Sequence, residues 1–118
     1  MIETRASFNP FKMKISRREP VSLSIELINK GSEPEIVSFE LVLGKQFSLE
    51  RAGFKTTAAG KIPELKPGES KKFYFDIWAK QMLRKGEQGI ALTVIEHYQG
   101  FNYIKKKYDK LLKLAVEE

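Results

Sequence analysis

Between Val21 and Ile28 the chain alternates with a period of two: Val21, Leu23, Ile25 and Leu27 are separated by Ser22, Ser24 and Glu26. Only an extended strand, whose successive side chains point to opposite faces, turns that pattern into one apolar and one polar surface. A sheet made of such strands must cover its apolar face with a second layer. The pattern recurs. Val37, Phe39, Leu41 and Leu43 alternate with Ser38, Glu40 and Val42. Phe73, Phe75, Ile77 and Ala79 form a core-directed face against Lys72, Tyr74, Asp76, Trp78 and Lys80. Ile90, Leu92, Val94 and Glu96 alternate with Ala91, Thr93, Ile95 and His97, and the apolar residues on both faces indicate a central strand.

Turn chemistry separates these runs. Asn29-Lys30-Gly31-Ser32 closes the first of them. Pro67 presets the second position of a turn, and Gly68 supplies the positive φ that a type II turn needs next, so the Lys71–Lys80 strand starts at once. Ile2–Phe8 and Phe11–Ile15 read as two extended pieces broken at Asn9-Pro10, because proline donates nothing to a sheet ladder. Phe11, Met13 and Ile15 are expected to point inward. Phe47, Leu49 and Arg51 suggest a short strand, and Ala52–Lys61 a flexible loop. Gln81–Gly86 is a polar connection with room for one helical turn.

The tail carries two periodicities. Phe101, Ile104, Tyr108, Leu111, Leu112 and Ala115 recur at helical spacing, whereas Leu112, Leu114 and Val116 alternate. The Gly89 strand needs a neighbour, which favours a reversal at Gln99-Gly100 and a last strand from about Lys110 to Val116, with a short C-terminal helix as the alternative. About seven short strands at roughly ten-residue spacing predict an all-β, immunoglobulin-like two-sheet sandwich, one domain over residues 1–118. Leu23, Ile25, Phe39, Phe73, Phe75 and Leu92 are its expected core.

The length suffices for a core without staples, and the sequence has no cysteine, which excludes a disulfide framework and a thiolate site. No secretory leader and no apolar stretch of membrane-spanning length is read, so a cytoplasmic protein is expected. The net charge is +6, from 21 basic and 15 acidic residues interspersed along the chain. With both signs interspersed, that reads as a solubilising surplus before it reads as a phosphate footprint. Many charged residues with few amides also fit a heat-adapted source.

Three segments carry a resemblance: Val21–Ser32 (VSLSIELINKGS), Leu65–Lys72 (LKPGESKK), and Lys85-Gly86-Glu87 followed by the apolar run to Ile95. Together, over about residues 20–96, they resemble the CARDB-type immunoglobulin-like modules of archaea and bacteria. The resemblance implies a non-catalytic seven-stranded sandwich, used for adhesion or as an accessory module of a larger assembly.

No catalytic set emerges from the residues. Gly53 and Gly60 enclose six residues, and Ile62 follows Lys61, so the Ala52–Lys61 stretch is not a phosphate-binding loop. His97 is the only histidine, its strand neighbour Glu96 points to the opposite face, and no Gly-X-Ser-X-Gly elbow is present. Neither an enzyme nor a cofactor is expected. Two surfaces remain as partner-binding candidates. Tyr74 and Trp78 share a strand face roughly 13 Å apart, and such residues are enriched at interface hot spots. Lys105, Lys106 and Lys107, followed by Lys110 and Lys113, lie near Phe101, Tyr103 and Tyr108. They read either as a solvated edge or as a phosphate-neutralising patch with bases stacked beside it. The sequence thus points to a protein-interaction module acting through a sheet face or edge, with homo-oligomerisation by edge pairing open to it. A nucleic-acid-binding accessory protein is the alternative.

Overall fold

In a computed structural model, described for residues 1–16, 19–80 and 85–117, every regular element is a strand. The strands are β1 (Ile2–Asn9), β2 (Lys12–Lys14), β3 (Val21–Asn29), β4 (Glu35–Leu43), β5 (Phe47–Ser48), β6 (Thr57–Leu65), β7 (Ser70–Ala79), β8 (Gly86–His97) and β9 (Ile104–Glu117). They form two sheets, ordered β1-β3-β7-β5 and β2-β9-β8-β4-β6. All pairings are antiparallel except that of β2 with β9, so the first stretch of chain crosses from one sheet to the other at Pro10.

The alternating runs supply the core. Leu23, Ile25 and Leu27 from β3 meet Val37, Phe39 and Leu41 from β4 and Ile90, Leu92 and Val94 from β8, all buried. Phe39 lies with its ring centroid 4.7 Å from that of Phe73 and 6.1 Å from that of Phe75, which places β7 over β4. Lys110 on β9 reaches the Thr4 carbonyl, so β1 lies over β9 at the other side of the sandwich. The predicted turn is present: the Glu69 amide donates to the Lys66 carbonyl at 2.9 Å and Gly68 takes φ 79°.

Several expectations are corrected. There are nine strands among the described residues rather than about seven. The tail is strand throughout, pairing with β8 from Ile104 onward; no helix occurs among the described residues, because every turn of that helix would cost β8 its ladder partner. The reversal does fall at Gln99-Gly100, where the Tyr103 amide donates to the Gly100 carbonyl. Ala52–Lys61 is not all loop: β6 starts at Thr57, with Ala58 opposite Leu41 and Gly60 directly beneath the Phe39 ring. β5 is confined to Phe47–Ser48, and Leu49 and Arg51 lie beyond it. Met13 is buried, but Phe11 is 74% exposed and Ile15 37%, since β2 is an edge strand with little sheet opposite it. Phe73 and Phe75 are only partly buried, because β7 has a neighbour on one side along most of its length, and Ala79, opposite Phe47 at the end of the strand, is exposed. β8 begins at Gly86, three residues ahead of Gly89; the helical turn expected before it falls largely on residues 81–84, outside the described residues.

Candidate interaction surface

The outer face of the smaller sheet is built from the polar halves of β1, β3 and β7. In register across it run Arg5, Glu26 and Lys72, then Ser7, Ser24 and Tyr74, then Asn9, Ser22 and Asp76. Tyr74 stands in the middle of this polar field and is 65% exposed. Trp78 lies further along β7 opposite Ser48, half-buried. The face therefore presents one aromatic anchor among hydrogen-bonding and charged groups, with a second partly withdrawn. No other element of the described chain covers Tyr74.

The lysines of β9 do not gather into one patch. Strand alternation sends Lys106 and Lys107 to opposite faces. Lys105 is the extra residue of a bulge: Glu96 pairs with Lys106 and His97 with Ile104. It turns to Glu35, donating to both carboxylate oxygens at 2.9 and 3.1 Å. That contact comes first among the causes that raise the Lys105 pKa. Lys106 places its ammonium 4.9 Å from the Tyr108 ring centre. Lys110 donates to the Thr4 carbonyl at 3.3 Å, and Lys113 lies 3.9 Å from Glu87. Much of the charge on this strand is thus answered from within the molecule.

A polar cluster that the sequence did not reveal occupies the β8–β9 end. Glu96 is 2% exposed. Its Oε1 lies 2.9 Å from the Met1 amino group, and Tyr108 donates to its Oε2 at 2.7 Å. Burial pushes the Glu96 carboxyl up, but the Met1 ammonium beside it and the hydrogen bond from Tyr108 outweigh it, and the net pKa is lowered. Tyr108 is raised, by burial first and by its bond to Glu96 next.

On the outward side of the same sheet His97 and Ser38 are brought together, Nε2 to Oγ at 2.7 Å. Phe101 folds back from the turn against the imidazole, edge-on with centroids 5.3 Å apart, and Lys61 sits over the Phe101 ring. A hydroxyl beside an imidazole is the first half of a nucleophile–base pair. The second half, a group that orients the ring through its other nitrogen, does not occur among the described residues: His97 Nδ1 is buried without a hydrogen-bond partner. No group of three or more potential metal-binding side chains occurs among the described residues. The spacing of Ser38 and His97 in sequence gives no hint of their contact; it follows from the β4–β8 register, in which His97 lies opposite Ile36.

The remaining groups without strand partners are backbone ones, at the sheet edges. β5 pairs with only Trp78 and Ala79 of β7, and β2 with only Ala115, Val116 and Glu117 of β9. Ser70–Ile77 of β7 and Ile104–Leu114 of β9 consequently each border one strand, as do β1 and β6.

No family model matches the sequence, and no curated protein does so. Among solved structures, the chain is similar to AvmM, which catalyses macrocyclization in alchivemycin A biosynthesis. The TM-score is 0.53 at 10% identity, covering 97% of this chain and 88% of that one. It is also similar to part of the Bacteroides uniformis β-glucuronidase, with a TM-score of 0.50 at 16% identity, covering 94% of this chain and 13% of the enzyme. At such identities the likeness is one of fold alone.

Proposed function

We propose that the chain is a non-catalytic, immunoglobulin-like interaction module that engages a protein partner through the surfaces of β7. The immunoglobulin-like reading is supported by strand order. With β1, β3, β4, β7, β8 and β9 lettered A, B, C, E, F and G, one sheet reads A-B-E and the other G-F-C, and the edge piece β2 runs parallel to the last strand. The CARDB-type likeness of residues 20–96 fits the same architecture and the same accessory role.

The observation that carries the functional reading is the exposure of Tyr74 on a strand whose far edge is also open. An aromatic ring bordered by serines and charged groups offers a desolvatable centre with a polar rim, the anatomy of an interface hot spot. The lysines of β9, largely answered by Glu35, Glu87 and the Thr4 carbonyl, give less support to a phosphate-binding role.

Binding of a captured partner to wild type, Tyr74→Ala and Trp78→Ala, measured by calorimetry, tests the proposal. A loss of about 1–3 kcal/mol is expected for Tyr74→Ala and a smaller one for Trp78→Ala. Losses within about 0.5 kcal/mol for both would remove this face from the interface.

A further inference from the structure

The two sheets differ in width on the β7 side. β7 lies over β4, so the position beyond β7 lies over β6, and there the smaller sheet supplies only Phe47 and Ser48. Along Ser70–Ile77 no backbone hydrogen bond reaches β7 from that side among the described residues. Beside the gap, the core-directed Phe73, Phe75 and Ala58 are only partly buried, while Leu23 and Ile25 on the next strand inward are wholly so. A fourth strand is begun and not continued.

The other three long edges are guarded. On β1, Lys110 occupies the Thr4 carbonyl and Glu3 holds Arg5 and Lys30. On β9, five lysines punctuate Ile104–Leu114. On β6, the register slips between Glu35 and Val37, so Pro63 and Glu64 oppose the single residue Ile36, and Pro63 has no amide to donate. Over Phe73–Ile77, β7 has no lysine, proline or register slip; its two lysines, Lys71 and Lys72, sit at the Ser70 end.

We propose that the Ser70–Ile77 edge of β7 accepts an extended segment of a partner protein as a full-length fourth strand, resting on the reading of this chain as an interaction module. Its inward side chains, at every second position, are apolar and cover Phe73, Phe75 and Ala58. Carboxylates lie where it passes Lys71 and Lys72. A second copy of the chain does not fit the place through its own β7. An antiparallel β7–β7 pair would bring the second copy's β4 onto the ground already held by β6, whereas a lone strand brings no second layer.

The test uses the full chain, isotopically labelled, titrated with a synthetic peptide of about nine alternating Val and Thr residues with Glu at both ends, long enough to span the edge. Saturable amide shifts confined to β7 and to Ala58–Ile62 are expected, with slowed exchange of β7 amides. The same peptide methylated on alternate backbone nitrogens is expected to bind at least about tenfold more weakly, the loss that follows when two ordinary main-chain hydrogen bonds go. Three results would overturn the assignment. Shifts centred on β9 or β1 would move the edge and leave the module reading standing. Equal binding of the methylated peptide would replace edge pairing by contact with a face. Absence of saturable binding below about 1 mM would remove the β7 edge altogether, leaving the face to be judged by Tyr74→Ala and Trp78→Ala.

Discussion

Glu96 is a charge taken out of water and kept ionised by two neighbours, and that has a definite pH signature. Its carboxyl has a lower pKa folded than unfolded, so the folded state binds fewer protons in the acid range. The stabilisation is full above the ordinary carboxylate pKa of about 4.3 and disappears as pH falls through the lowered folded value. Urea midpoints of wild type and Glu96→Gln are therefore expected to differ most near neutrality and to converge only as pH falls below the ordinary carboxylate value and on through the lowered one. A gap that stays constant with pH would contradict it. Removing only the phenol, in Tyr108→Phe, is expected to cost about 1–2 kcal/mol at neutral pH, the usual scale for a hydrogen bond to a charged group, measured by the same unfolding curves. Gly60 is constrained by space rather than by φ. A Cβ there would lie 2.7 Å from Phe39 Cζ and nearer still to Cε1, on a ring that is itself packed against Phe73 and Phe75. Gly60→Ala is expected to lose about 1–3 kcal/mol of stability by overpacking, read from thermal or urea unfolding.

The strands differ in how plainly the sequence announces them. β3 and β4 are half-buried with one apolar face, and β8 buries one of its two apolar-bearing faces while Ala91 on the other is exposed, so the alternating residues of Val21–Leu27, Val37–Leu43 and Ile90–Val94 are legible and are buried as read. β6 is not. Its first inward residues are the small Ala58 and Gly60, the latter because Phe39 fills the space above it, and small residues in a row look like a loop; the buried Ile62 and Leu65 come only at its far end. The tail is half legible: the need of β8 for a neighbour points to a strand, while residues 101–115 also satisfy a helical spacing that only the ladder overrules. The candidate surfaces divide the same way. The sharing of one face by Tyr74 and Trp78 follows from strand periodicity. The capture of Lys105 by Glu35 and of His97 by Ser38 joins residues 70 and 59 positions apart, and no local pattern encodes it. The edges can be tested at this scale. Pro63→Val restores an amide to β6 and adds a β-branched side chain to an exposed strand. Concentration-dependent association is expected for this variant in light scattering, with the parent protein unaffected; an unchanged mass would show that Pro63 is not the guard of that edge.

For the molecule as a whole, little of the positive surplus of +6 lies on the strands, where basic and acidic residues nearly balance, and the lysines of β9 are partly answered by internal partners. Titration with single-stranded and duplex oligonucleotides at about 50 and 200 mM salt is expected to show weak binding with a log–log slope shallower than about −2. Changing Lys105, Lys106 and Lys107 together to Gln is expected to leave that slope nearly unaltered. A steep slope flattened by the triple change would promote the nucleic-acid reading over the protein-interaction one. The parallel pairing of β2 with β9 also sets how the molecule meets tension. Lys12, Met13 and Lys14 lie beside Ala115, Val116 and Glu117, and the Ile15 amide donates to the Glu117 carbonyl. A pull applied at opposite ends of the chain draws these two strands past each other lengthwise. The load then falls on all their rungs at once, as in a lap joint under shear, and the sandwich yields by sliding rather than by opening rung by rung like a zip.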